Sequence, residues 1–223
     1  MSNHPLEASV EFAENPEARC PCLVLVDVSG SMKGNPIYQL NLGIQAFKED
    51  LVKDTLASRR VEVALVAFDN EVVVHNDFCT IDNFDPPKLV DGGTTHMGSA
   101  VIKALDMIEA RKALYKANGI SYYRPWVLLV TDGAPYGEDP AIFEEAVRRV
   151  HDDEQNKRVV FFGVAVEQAD MAVLSRLCVR PPKHLKGLNF VDLFVWLSKS
   201  AGAVAASQVD DMVALPPPGW ATV

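Results

Sequence analysis

Residues 23–32 read Leu-Val-Leu-Val-Asp-Val-Ser-Gly-Ser-Met, and this stretch decides the fold. Leu23 to Val28 is a short apolar run with β-branched residues and a single charge, Asp27, near its end. A run of this length that stops at a turn reads as a buried strand. The segment that follows, Ser29-Gly-Ser-Met-Lys-Gly-Asn-Pro36, is rich in turn formers. Pro36 suits the first turn of a helix. Beyond it Ile37, Leu40, Ile44, Phe47 and Leu51 recur in steps of three and four, which predicts an amphipathic helix over 37–56.

The same reading extends outward. Val61 to Phe68 is a second strand and Glu71 to Phe78 a third, joined by the tight Asp69-Asn70 turn. Asn70 tolerates left-handed geometry, so the pair reads as a hairpin. Met97 to Tyr115 is a helix with Val101, Leu105, Ile108 and Leu114 inward. Trp126 to Val130 is a fully apolar strand that ends in Thr131-Asp132-Gly133, and Trp126 is a packing residue. A helix over 140–151, a strand over 158–166, a short helix over 169–177 and a closing helix over 189–207 complete the pattern. The closing helix places Phe190, Leu193, Phe194 and Leu197 on one side. Residues 214–223 contain Pro216-Pro-Pro and Trp220 and are expected to form an exposed tail.

Strands that alternate with helices, plus one hairpin, predict an α/β layered fold with a mostly parallel sheet. Ligands in such sheets bind at the carboxyl ends of the strands, near the point where strand order reverses. No internal repeat and no linker divides the chain. The expected organisation is an N-terminal extension over 1–19, one domain over 20–207 and a Pro-containing tail over 208–223.

Composition bounds the function. The 223 residues are 48% hydrophobic and 23% charged, enough apolar surface to fold one large domain and to exclude wholesale disorder. Lys plus Arg number 21 against 30 Asp plus Glu, a net charge of −9. That balance argues against indiscriminate binding to nucleic acid or to an anionic membrane. No segment approaches the ~18 apolar residues of a membrane span. Met1 to Arg19 is acidic and lacks the apolar core of a secretory signal. The expected address is therefore cytoplasmic. Cys20, Cys22, Cys79 and Cys178 do not have the spacing of a zinc box or a disulfide scaffold, and free thiols are expected.

Three loops at the ends of the apolar strands carry hard oxygen donors. They are Asp27-Val-Ser29-Gly-Ser31, Gly92-Gly-Thr-Thr95 and Thr131-Asp132-Gly133. In the first, Asp27, Ser29 and Ser31 can turn to one side while Val28 packs and Gly30 lets the backbone bend. A carboxylate and two hydroxyls suit Mg²⁺ or Mn²⁺ rather than a soft metal, and Asp132 with a threonine would complete one face. Mg²⁺ commonly keeps waters, which predicts an open position for an outside oxygen. One such loop alone is most often a helix cap or an Asx turn. Three at the ends of the right strands form a constellation.

Asp27-x-Ser29-x-Ser31-Met32 with the downstream Gly-Gly-Thr-Thr and Thr131-Asp132-Gly133 resembles a von Willebrand factor A (VWA) domain with its metal-ion-dependent adhesion site, over residues 20–207. The resemblance implies a doubly wound, Rossmann-like fold with a mostly parallel central sheet, one antiparallel edge hairpin strand and helices on both faces. Gly34-x-Pro36-Ile37, Phe84-x-Pro86-Pro87 and residues 125–135 (PWVLLVTDGAP) further resemble the bacterial tellurite-resistance VWA proteins of the TerY type. The family pattern of Thr, two residues, Gly, one residue, Ala fits Thr95 through Gly98 to Ala100, which carries the ligand role to Thr95 and leaves Thr94 in reserve.

What the resemblance implies is a protein-binding module. A Mg²⁺ or Mn²⁺ ion held by Asp27, Ser29, Ser31, Thr95 and Asp132 would accept an Asp or Glu carboxylate from a protein partner. Lys33 and His96 would stand at the rim. The implied setting is stress or tellurite-resistance signalling with kinase, phosphatase or AAA+ ATPase partners, and the alternative is a subunit of a chelatase-like AAA+ complex. An enzyme is disfavoured, because the motifs place no Ser-His-Asp set and no phosphate-binding Gly-rich loop. A Mg²⁺-dependent phosphatase of the haloacid-dehalogenase kind would need a second Asp where Ser29 stands.

Overall fold

In the computed structural model, which describes residues 11–167 and 169–222, the central apolar run is strand β1 (Cys20–Asp27), buried at every position. It pairs in parallel with β2 (Val61–Phe68) on one side and β4 (Trp126–Thr131) on the other. Both neighbours are also buried throughout, which explains why these runs are nearly all apolar rather than alternating, with Glu62 and Thr131 the polar exceptions near their ends. β3 (Val72–Thr80) returns antiparallel at one edge, and β5 (Val160–Ala165) and the two-residue β6 (Lys183–His184) extend the other in parallel. The strand order is β3-β2-β1-β4-β5-β6, so the direction of winding reverses between β1 and β4.

Helices cover both faces. α1 (Asn35–Leu51) and α6 (Phe190–Ala205) pack on one side, with a one-turn α2 (Ala57–Arg60) beside them. α3 (Met97–Ala117), α4 (Pro140–Gln155) and α5 (Met171–Leu177) pack on the other. All five inward positions expected for α1 are buried, as are the four expected for α6. Pro36 sits in the first turn of α1, where its missing N–H costs nothing.

Several expectations are corrected. The first helix ends at Leu51 rather than 56, because Asp54 Oδ1 accepts the N–H groups of Leu56 and Ala57 and starts the separate turn α2. The hairpin forms without Asn70 in left-handed geometry: Asp69 Oδ1 accepts Glu71 N–H at 2.7 Å and closes the turn instead. On α3, Leu114 is only half-buried while Tyr115 is fully buried.

The carboxyl-terminal segment is not an exposed tail. Trp220 is buried against Trp196, their ring centroids 5.5 Å apart. Lys186 N–H donates to Trp220 O, Thr222 N–H to His184 O, and the Trp196 indole to Pro216 O. The segment is a strap across β6 and α6, held because two large aromatics gain more by burial than an open chain would by freedom. At the other terminus, Phe12 packs against Tyr115 and Arg19 is fully buried, while Ala13, Glu14 and Pro16 are exposed. The expectations for residues 1–10 and 223 lie outside the described residues.

No helix among the described residues is long and apolar enough to cross a membrane. All four cysteines are free thiols, three of them buried. Burial pushes the Cys20 and Cys178 thiols up to about 12 and Cys79 to about 11. At pH 8 a thiol of pKa about 12 is about one part in ten thousand thiolate, the reactive form. Cys20, Cys22 and Cys178 are therefore expected to resist a chromogenic disulfide reagent in the native protein and to react promptly in guanidinium. A burst of more than one equivalent from folded protein would contradict this burial.

Candidate metal centre

The reversal of winding opens a crevice between the carboxyl ends of β1 and β4. Asp27 is the last residue of β1 and Thr131 the last of β4, so both side chains arrive on rigid strands. Asp27 is fully buried. Its Oδ1 accepts Ser29 N–H at 2.9 Å and its Oδ2 accepts the Thr131 hydroxyl at 2.6 Å. These bonds fix the carboxylate and fold the next turn, so that Ser29 and Ser31 stand on the same side with their hydroxyl oxygens 3.0 Å apart. Ser31 in turn donates to Asp132 Oδ1 at 2.8 Å.

The second loop is tied to the first through the backbone. Gly92 N–H donates to Val28 O and Gly30 N–H to Gly93 O. Thr95 exchanges both backbone hydrogen bonds with Tyr136 in the loop after β4. A Cβ added to Gly133 would stand 3.7 Å from Thr95 Oγ1 and 4.0 Å from Asp27 Oδ2, so both side chains face the same glycine of the loop after β4. The Thr94 hydroxyl sits against Gly137 instead, so the structure favours Thr95 of the two. Asp27, Ser29, Ser31, Thr95 and Asp132 thus gather at one crevice from three loops.

Gly93 holds a left-handed φ of +72°, and a Cβ there would run into Asn70 Oδ1 and the Asp69 side chain. Gly92 has open space around it. Gly93→Ala is expected to destabilise the metal-free protein by about 1–3 kcal/mol through strain and collision, and Gly92→Ala by much less. Urea unfolding of the two variants in EDTA checks this; equal midpoints would contradict it.

The residues fit a hard divalent cation. Adjacent oxygens around an octahedral Mg²⁺ with bonds of 2.0–2.1 Å are about 2.9 Å apart. The Ser29–Ser31 and Ser31–Asp132 oxygen pairs stand at that spacing. Every donor is oxygen, and no trio of His, Cys, Asp or Glu converges on a metal position among the described residues, so hydroxyls are obligatory members of any set here. Electrostatics also favour an added cation. Burial, opposed by hydrogen bonds from Ser29 and Thr131, pushes the Asp27 carboxyl up to about 6, and burial raises Asp132 as well, with Glu167 a nearby like charge. A fully buried carboxylate beside a half-buried one carries an unmet demand for positive charge.

The rim residues differ from each other. Lys33 is exposed beside the first loop. His96 is half-buried at the N-cap of α3, and its Nε2 lies 2.9 Å from Gly137 O, so the ring braces the neighbouring loop. Sequence reasoning did not single out Glu138. Its carboxylate accepts the N–H groups of Gly98 and Ser99 and the Ser99 hydroxyl, and so caps α3 just beyond Thr95. No periodicity marks an acid that acts across 39 residues. The supporting role of Thr131 was closer to hand, one position before Asp132.

A model of the von Willebrand factor type A domain matches residues 23–191. Among solved structures, the pilus adhesin SpaC of Lactobacillus rhamnosus GG is 14% identical with a TM-score of 0.64, covering 85% of this chain and 32% of that one. The ArnB paralog VWA2 from Sulfolobus acidocaldarius is 17% identical with a TM-score of 0.53, covering 82% and 45%. Proximal thread matrix protein 1 from the mussel byssus, with a zinc-occupied MIDAS motif, is 18% identical with a TM-score of 0.50, covering 83% and 48%. The chain spans about a third to a half of these proteins' lengths, and at such identities the likeness is one of fold. No curated protein matches the chain. With the family model covering both switch-point strands and all three oxygen-bearing loops, the chain belongs to the von Willebrand factor type A domain family.

Proposed function

We propose that this protein is a metal-dependent protein-binding module rather than an enzyme. Ser29, Ser31, Thr95, Asp27 and Asp132 hold one divalent cation, directly or through water, and an Asp or Glu carboxylate of a partner protein takes its open position. The observation that carries this reading is the convergence of five oxygen donors at the switch-point crevice, with Ser31 exposed and Asp27 sealed behind it. The zinc-occupied motif of the mussel protein supports a metal at this kind of site. The all-oxygen donor set favours Mg²⁺ or Mn²⁺ here.

The finer reading places the module in the cytoplasm, in bacterial stress or tellurite-resistance signalling, with a kinase, phosphatase or AAA+ ATPase as partner. It rests on the TerY-like runs at 34–37, 84–87 and 125–135. A chelatase-like AAA+ subunit is the alternative, and a phosphatase-like enzyme comes last, since the serine hydroxyls that could act as nucleophiles face the cation. Pull-down from the native host with Mg²⁺ and again with EDTA tests the reading. Capture of a partner that EDTA releases is the expected result; a partner retained equally in EDTA would place the binding surface elsewhere.

A further inference from the structure

Over β4, β5 and β6 the sheet face that carries α1 and α6 is covered by the carboxyl-terminal strap instead of a helix. A strap fills space less completely than a helix, and a cleft of about 270 Å³ remains beneath it. Leu128 of β4 and Phe162 of β5 form the floor, Trp196 and Trp220 the walls, and Arg180 and Lys183 supply two cations to the lining. The aromatics are already ordered: Phe162 and Trp196 meet edge to face at 6.1 Å, and Trp196 and Trp220 at 5.5 Å. A rigid apolar wall beside a few polar groups is the ordinary make-up of a small-molecule site.

The charges at the mouth of the cleft indicate what it takes. The Trp196 indole N–H is already satisfied by Pro216 O. Arg180 commits its Nε to Glu154 at 3.2 Å, which meets part of its charge, while Lys183 is exposed on β6 at the same cleft. The charge a ligand must complement is therefore positive and the bulk it must fill is apolar.

We propose that this cleft binds a small amphipathic carboxylate, its aryl or alkyl body against Leu128, Phe162 and Trp196 and its carboxylate toward Lys183 and Arg180. The volume admits about nine waters at ~30 Å³ each, or one ligand of about a dozen covalently linked heavy atoms. The site lies on a face of the sheet, apart from the metal centre at the strand ends, so it stands whether or not the metal reading does.

The test titrates 3-phenylpropionate into the full chain in EDTA, which removes any cation that a carboxylate could join at the metal centre. Tryptophan fluorescence reports on Trp196 and Trp220, and saturation-transfer NMR reports on the ligand. Saturable binding is expected, weakened about fivefold or more in Lys183→Gln and for the neutral analogue 3-phenylpropanol. Lys183 is exposed, so the variant's fold is not at stake. No binding up to about 10 mM would overturn the proposal. So would equal binding of the alcohol, or an unchanged affinity in Lys183→Gln.

Discussion

Asp27→Asn is expected to raise the melting temperature of the metal-free protein at pH 7 while abolishing divalent-cation binding. Asp27 is fully buried, and its carboxyl is pushed by that burial from an ordinary value of 3.8 to about 6. A carboxyl with a raised folded pKa stabilises the fold only in its protonated form. That contribution is complete below about pH 4 and is lost as pH rises through about 6. Above that window the buried charge costs about 3 kcal/mol relative to the protonated state. Asparagine removes the charge and keeps the shape. Its Oδ1 can still accept Ser29 N–H, and the Thr131 hydroxyl can rotate to accept from its amide. For a domain of this size the gain corresponds to about 6–12 °C. Thermal unfolding of wild type and variant in EDTA at pH 4.5 and 7 checks the sign: the gap should open at pH 7 and narrow at pH 4.5. A variant less stable than wild type at pH 7 would show that the hydrogen bonds outweigh the buried charge.

The second large effect lies at the opposite end of the sheet. Glu62, fully buried near the start of β2, accepts Arg19 Nε at 2.8 Å, Arg111 Nε and Nη2 at 2.8 Å each, and the Tyr115 hydroxyl. Phe12 lies against both guanidinium groups, 5.4 and 5.0 Å from its ring centroid. Glu11 adds a second carboxylate to Arg111. Glu62→Gln leaves two buried cations facing one neutral amide, and breaking a buried pair from one side costs about 3–5 kcal/mol. The triple replacement of Arg19, Glu62 and Arg111 by Met is expected to cost less than Glu62→Gln alone, because it removes both buried cations with the carboxylate they share and leaves only the partly exposed Glu11 carboxylate and the Tyr115 hydroxyl without these partners. Urea midpoints for both proteins decide the matter. A near-neutral Glu62→Gln would mean that water reaches this cluster.

These two ends differ in how far the sequence revealed them. The strands that carry the crevice were legible because burial on both faces leaves a nearly continuous apolar run, and 23–28, 61–68 and 126–130 are such runs, broken only by Asp27 and Glu62. The oxygen donors were legible because Asp27, Ser29 and Ser31 lie within five residues and Asp132 directly follows its strand. The Glu62 cluster was not, since its members come from positions 19, 62, 111 and 115. Arg19, Glu62 and Arg111, each taken alone, read as surface residues. β6 escaped notice because two residues carry no periodicity. The strap escaped notice because proline and glycine ordinarily mark open chain, whereas here Trp220 anchors the segment in the core. Glu138 belongs with these: its role as the cap of α3 exists only once the loop after β4 has folded over Thr95.

The central claim is that the oxygen donors at the switch point hold one hard divalent cation. Calorimetric titration of Mg²⁺, and separately Mn²⁺, into wild type, Ser29→Ala and Asp27→Asn tests it most directly. The account predicts one ion per wild-type chain, weaker binding in Ser29→Ala, where a neutral hydroxyl is lost, and none measurable in Asp27→Asn, where a formal charge is lost. No heat of binding in wild type up to millimolar cation, or equal binding by Asp27→Asn, would contradict it.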